Sequence, residues 1–380
     1  MSKNIFYEYE TIDDEEIVTY IQNHKELHPF FKEEWGKIKP LQYCGILNIE
    51  GKDIYILPKV TTRSSEVNLD IFIYMLLAAY DIKLQKQDFA KAKNQKSSFL
   101  LEVLVQHFAK ELLREFTKGL YKIYTSKEKN LTTLRGKYLI SQNIRHNFTK
   151  SKIYCEFDEF SADNELNQFF LFALKSLLPY VHNKKLLKEC LLVLEEVSDK
   201  YFNPFENNIH FDRLKSRFQP SYELGVMLLQ RVIPMFADGK KSFSFLFDMN
   251  DLFEKFIGKI YESIDESTEL QRQKNYGSLV LKPDIVTSSM IIDTKYKKVS
   301  SRENLSVADK YQMFVYGTNF KQIDTMLLYP KHIENIYDDL KLGKNDTMVQ
   351  LKMRSVDLDF DGGYEEFLDA IRGRVRKINE

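Results

Sequence analysis

The hydrophobic period of the chain differs on either side of Ala237-Asp238-Gly239-Lys240. Before this break, from about residue 90, apolar residues recur at helical spacing. Leu100, Leu104, Phe108 and Leu112 predict a helix over 99–120. Leu166, Phe169, Phe170, Ala173, Leu174 and Leu177 predict another over 166–178, with Asp163 or Asn164 where an N-cap belongs. Residues 186–197 and 224–236 read as two more apolar helices, and 67–80 as an earlier one. Stripes of this kind are core, not cofactor boxes. After the break, a helix over 250–264 leads into strands over 278–286 and 290–293. A helix over 305–316, β-like runs at 323–328 and 348–353 and a helix over 364–375 follow. This order of helix, strands, helix and strand is that of an α/β domain. Near the N-terminus, 43–49 and 54–57 read as two strands joined by Glu50-Gly51-Lys52-Asp53, with Pro58 ending the second. The chain is therefore expected to be a multi-domain α/β (α+β) protein. Residues 1–90 form a small β-containing domain, 91–237 a basic and mainly helical middle, and 238–380 an α/β domain.

Whole-chain charge gives nucleic acid no support, because 55 Lys and Arg face 55 Asp and Glu. Residues 91–150 differ: thirteen Lys or Arg against four acids, a net +9. Such a run is either a solvated helix face or a phosphate-contacting surface. Arg135 and Lys137 flank Gly136 within it and are candidates for contact with DNA or a partner. Cys44, Cys155 and Cys190 are widely spaced with no C-x-x-C pair, which excludes structural zinc and a disulfide framework. The seven histidines show no H-x-x-H or H-E-x-x-H spacing, which argues against a zinc hydrolase. No G-x-x-x-x-G-K-[ST] run exists, so GTP or ATP hydrolysis would fall to another subunit. The first residues are polar and acidic, and no window approaches the ~20 apolar residues of a membrane helix. A reducing cytoplasm, with no membrane partner, is the expected setting.

The chemistry gathers in one stretch. Pro283-Asp284-Ile285-Val286 is followed by Thr287-Ser288-Ser289 and then Met290-Ile291-Ile292-Asp293-Thr294-Lys295. Two short strands make a hairpin, period-2 alternation puts Asp293 and Lys295 on one face, and the hairpin can bring Asp284 beside them. Two carboxylates can hold a hard divalent cation through oxygen. Such an ion polarises a phosphate and acidifies a bound water, while a nearby ammonium offsets charge on the phosphoryl oxygens. The plainer reading of Asp293 and Lys295 is a salt bridge at a strand end. Glu254, on the helix before the hairpin, and Gln312, on the helix after it, read from the residues alone as ordinary surface polar groups.

The combination is similar to the PD-(D/E)xK nuclease signature, and the chain as a whole resembles the McrC family, the nuclease subunits of McrBC restriction systems. Tyr43-Cys44-Gly45-Ile46 with Ile54-Tyr55-Ile56-Leu57-Pro58-Lys59, and Leu134-Arg135-Gly136-Lys137 with Gln142-Asn143-Ile144, carry the resemblance. So do Cys155 to Asn164 with Asn167, the hairpin itself, and Tyr311-Gln312. Residues 1–40 match nothing in the family's pattern, and the spacer from Asp284 to Asp293 is short. The resemblance implies a PD-(D/E)xK restriction-endonuclease-like C-terminal domain. It implies an Mg2+-dependent endodeoxyribonuclease, with Mn2+ as a substitute, whose catalytic residues are Asp284, Asp293, Lys295 and Gln312. The implied metal ligands are Asp284, Asp293 and Glu254. It implies a McrB-like AAA+ GTPase ring as partner, docked through about residues 1–150, and modified double-stranded DNA as substrate. It leaves open self-association through the nuclease domain. The alternative is a non-cleaving adaptor that binds and stimulates the ring.

Overall fold

The computed structural model describes residues 4–82, 99–148, 151–206, 209–237, 240–297, 305–322, 324–331, 335–344 and 347–379. Lys91, Lys93, Lys96 and Lys150 of the basic segment lie outside them, as do Asp238 and Gly239 of the break and Ile323 at the start of one β-like run. The chain divides into two compact units: Met1–Ser97 with Val232–Glu380, and Ser98–Arg231. The protein is a mixed α/β fold with several sheets. Among the described residues, no helix is long and apolar enough to cross a membrane.

The first unit holds two larger sheets. One runs Ile5–Tyr7, Lys52–Leu57, Tyr43–Ile49, Lys240–Asp248, Val232–Ala237 in spatial order. The expected N-terminal hairpin is its centre, with Ile46 opposite Tyr55. Gly51 sits in the turn at φ +86°, a conformation that favours glycine. On its other side Tyr43–Ile49 pairs antiparallel with Lys240–Asp248. N-terminal and C-terminal segments thus share one sheet, and the break at 237–240 lies between its two paired strands. The helix expected over 224–236 ends at Arg231, and Val232–Ala237 is a strand. Val232-Ile233-Pro234 explains the change: β-branched residues favour extended backbone, and Pro234 cannot donate within a helix.

The second sheet runs Glu269–Leu270, Ile285–Val286, Ile291–Thr294, Asp324–Pro330, Val349–Val356, Tyr337–Leu342. Ile291–Thr294 pairs antiparallel with Ile285–Val286 and parallel with Asp324–Pro330. Parallel neighbours need a crossover, and the helix Val307–Phe320 supplies it. Ser306 caps that helix, its side chain accepting from Asp309 N at 3.0 Å. The helix Met249–Ile264 is built by Leu252, Phe253, Phe256, Ile257, Ile260 and Tyr261 on one buried face, with Asp248 as its N-cap. It packs against Ser65–Ala79 and Tyr364–Asn379, with the Phe256 and Phe367 rings 5.8 Å apart.

The second unit is mainly helical among the described residues, and it also carries a sheet that the sequence reading did not include. Phe99–Thr117, Glu165–Leu177, Lys185–Val193 and Gln219–Arg231 do pack as helices around Phe108, Phe169, Phe170 and Leu228. Beside them stands a three-stranded sheet of Ile123–Leu131, Ile153–Ser161 and Lys137–Tyr138. Ile123–Leu131 is polar on both faces and carries no clear hydrophobic alternation, while Ile153–Ser161 buries Cys155 and Phe157 on one face. Part of the basic run is neutralised here, since Lys127 pairs with Glu159 and Lys137 with Glu156.

Candidate functional site

The strand Ile291–Thr294 is buried throughout, and it ends in a carboxylate that is 1% exposed, Asp293. A charge in such a place needs partners. Lys295 Nζ lies 2.6 Å from Asp293 Oδ2 and donates to Gln312 Oε1 at 3.2 Å. Gln312 Nε2 in turn donates to Asp293 Oδ1 at 3.1 Å. Across the hairpin, Asp284 Oδ2 accepts from Thr294 N at 2.7 Å and Thr294 Oγ1 at 2.9 Å. Two strands and one crossover helix thus bring Asp284, Asp293, Lys295 and Gln312 together. Glu254, on the Met249–Ile264 helix, is engaged by Gln271, whose Nε2 donates to Glu254 Oε1 at 2.7 Å. Glu254 is still near enough to Asp284 and Asp293 for its charge to act on them.

Two residues escape the sequence reading. Tyr316 sits one helical turn beyond Gln312, accepts from Gln312 Nε2 at 3.0 Å and donates to Lys282 O at 3.2 Å. The i, i+4 spacing of Gln312 and Tyr316 on one helix was the available signal. Thr294, the middle residue of D-x-K, holds Asp284 and carries no signal of its own. Nearby, Lys297 Nζ pairs with the buried Asp309 at 3.2 Å.

The electrostatics of the cluster are those of crowded carboxylates. Burial, then the charge of Asp293, pushes Asp284 up to about 6 against the opposing bonds from Thr294 and the charge of Lys295. Burial also raises Asp293, with Lys295 pulling the other way. Glu254 is raised by burial and then by Asp284. Burial alone would lower the Lys295 ammonium, but Asp293 and Asp284 outweigh it and hold the group protonated. Asp293 Oδ2 is buried and accepts no well-aligned hydrogen bond, its near neighbour being the Lys295 ammonium. An all-oxygen donor set with excess buried negative charge suits a hard divalent cation. Among the described residues no three His, Cys, Asp or Glu side chains converge into a ready cage, so the hairpin pair Asp284 and Asp293 is the better-placed donor set.

Arg135 and Lys137 belong to the second unit. The Arg135 guanidinium lies 4.2 Å from the centre of the Phe157 ring, and Lys137 Nζ is 3.4 Å from Glu156 Oε2. Between them Gly136 has φ +68°, and a Cβ there would stand 2.4 Å from Glu156 O. Asp163 Oδ1 accepts from Ser198 N, Ser198 Oγ and Gln168 Nε2, while Asn164 caps the Glu165–Leu177 helix.

The family description "McrBC 5-methylcytosine restriction system component" matches residues 38–330. No curated protein matches the chain. Among solved structures, a chain of the refined half-complex from a tetradecameric assembly of Thermococcus gammatolerans McrB AAA+ hexamers with bound McrC is 22% identical. It aligns over 98% of this chain and 99% of its own length with a TM-score of 0.59, so the fold is shared. A chain of the cryo-EM structure of the Thermococcus gammatolerans McrBC complex is 25% identical over 68% of this chain and 86% of that one, with a TM-score of 0.48.

Proposed function

This chain belongs to the family of McrBC 5-methylcytosine restriction system components, and we propose that it is the DNA-cleaving subunit of such a system, working with an AAA+ GTPase ring. The observation that carries the reading is the buried cluster in which Lys295 and Gln312 bridge to Asp293 while Thr294 holds Asp284 alongside. A strand-end salt bridge would not need a second, half-buried carboxylate across the hairpin. The ring is proposed from the Thermococcus gammatolerans assembly, in which McrC is bound to McrB AAA+ hexamers.

Asp284 and Asp293 would hold a hard divalent cation, Mg2+ or Mn2+ in its place, which when bound supplies Lewis acidity and a more acidic water. Glu254 adds a third carboxylate whose charge acts on Asp284 and Asp293. Lys295 stays protonated beside Asp293, so its ammonium can meet charge that develops on a phosphoryl oxygen. Gln312 fixes Asp293 and Lys295 relative to each other, and Tyr316 fixes Gln312. The test is cleavage of methylated duplex DNA by the full chain with its ring partner, GTP and Mg2+. Lys295→Ala is expected to lower the cleavage rate on the order of 10²–10³-fold, the usual effect of losing one such electrostatic contact. Cleavage near the wild-type rate in Lys295→Ala would remove this cluster as the catalytic site, and no cleavage by the wild-type complex would leave the non-cleaving adaptor as the reading.

A further inference from the structure

Glu8 and Tyr296 join the two larger sheets of the first unit by a buried hydrogen bond. Glu8 follows the strand Ile5–Tyr7, is 1% exposed, and donates from its backbone N to Leu57 O at 3.0 Å. Its Oε1 accepts from the Tyr296 hydroxyl at 2.6 Å and from Lys59 N at 3.2 Å. Tyr296 is 5% exposed and its ring centre lies 6.0 Å from that of Phe253. It is the residue after Lys295.

The strand ladder with Asp324–Pro330 ends at Thr294. Beyond it Lys295 N donates to Leu328 O at 2.9 Å, and Lys297 N turns back onto Lys295 O at 3.0 Å. Lys295 therefore stands where regular pairing stops, next to an anchored aromatic residue. A lysine side chain has large rotamer freedom. Holding its Nζ against both Asp293 and Gln312 requires a fixed backbone at its root. A buried carboxylate is a poor means of stabilising a core, since well-packed apolar residues of similar volume serve as well or better. A charge-assisted hydrogen bond of short length does fix direction.

We infer that Glu8 and Tyr296 are positioning residues for Lys295. Their hydrogen bond fixes the backbone from which the ammonium enters the cluster, and neither side chain touches the reacting atoms. The inference rests on the hydrolytic reading of the site.

The experiment measures single-turnover cleavage by the full chain with its ring partner, as a function of Mg2+. Tyr296→Phe keeps the ring and removes the hydroxyl. It is expected to lower the rate at saturating Mg2+ about tenfold or more, as small displacements of a catalytic group do, and to leave the half-saturating Mg2+ concentration unchanged. Glu8→Ala is expected to match it, and Glu8→Gln, whose amide oxygen still accepts from Tyr296, to retain most of the rate. Added to Lys295→Ala, Tyr296→Phe is expected to cost nothing more, because the group it positions is gone. An equal further loss in the Lys295→Ala background would show a general structural role and overturn the inference, as would a wild-type rate in Tyr296→Phe. Should Tyr296→Phe fail to fold, wild-type cleavage by Glu8→Ala overturns it. Asp293→Ala is the control: if it cleaves like wild type, the hydrolytic reading falls and this inference with it. If Asp293→Ala is inactive while Tyr296→Phe is unaffected, only the inference falls.

Discussion

Asp284 is half-buried beside a second carboxylate, and its proton affinity follows from that. An aspartate titrates near 3.9 in an unfolded chain, whereas burial and Asp293 push Asp284 to about 6 in the fold. The folded state therefore binds this proton more tightly between those values. The cost of keeping Asp284 ionised is absent below about pH 4, grows as pH rises, and is complete above about pH 6. Asp284→Asn can still accept from Thr294 and carries no charge. In chelator at pH 7.5 it should be more stable than wild type by on the order of 1–3 kcal/mol, with the gain fading toward pH 4. Thermal melts across that range check the trend, and a gain that does not vary with pH contradicts it. Mg2+ should raise the melting temperature of wild type and not of this variant, because the divalent ion binds the ionised form. Gln312 makes a second residue-level case. Gln312→Leu removes both bridges, to Asp293 and to Lys295. Cleavage should fall at least about tenfold with the melting temperature little changed, since the side chain is only part-buried.

At the scale of elements, what was legible in the sequence had a local cause. Met290-Ile291-Ile292 between a turn and an acid could only be a short buried strand, and Asp284, Asp293 and Lys295 could be grouped from their spacing, whereas Gln312 came from the resemblance. The crossover helix was read over 305–316 and is Val307–Phe320 in the structure, but the way Tyr316 completes the contact of Gln312 was not legible. The strands Ile123–Leu131 and Ile153–Ser161 were not legible. Their partners lie far apart in sequence, and both faces of Ile123–Leu131 are polar, so pairing rather than period decides its structure. The short strand Lys137–Tyr138 joins them beyond Gly136. That glycine adopts a left-handed φ with its Cα against the Glu156 carbonyl. Gly136→Ala should destabilise the second unit by on the order of 1–3 kcal/mol, read as an earlier melting transition. An unchanged melt would show that the strand is not held there.

At the scale of the molecule, the sharing of one sheet by N-terminal and C-terminal segments was beyond sequence reading. Period identifies strands but not which distant strand each one joins, so Tyr43–Ile49 and Lys240–Asp248 gave no hint of their pairing. The chain has a formal charge of zero and no P-loop. Its intrinsic DNA affinity should be weak, because non-specific binding is carried by excess positive charge. The isolated chain with Mg2+ at physiological salt should cleave poorly, and robust cleavage without any partner would refute the dependence on a ring. Asp293→Ala decides whether the cluster around Asp293 cleaves DNA. Three quantities are measured on it side by side: thermal melt, stimulation of the ring's GTP hydrolysis, and cleavage with Mg2+. The account predicts cleavage lost, stimulation near wild type, and a melting temperature equal to or above wild type, because a raised and crowded carboxylate has been removed. Cleavage within a few-fold of wild type, accompanied by a lower melting temperature, would mean that Asp293 and Lys295 form only a salt bridge.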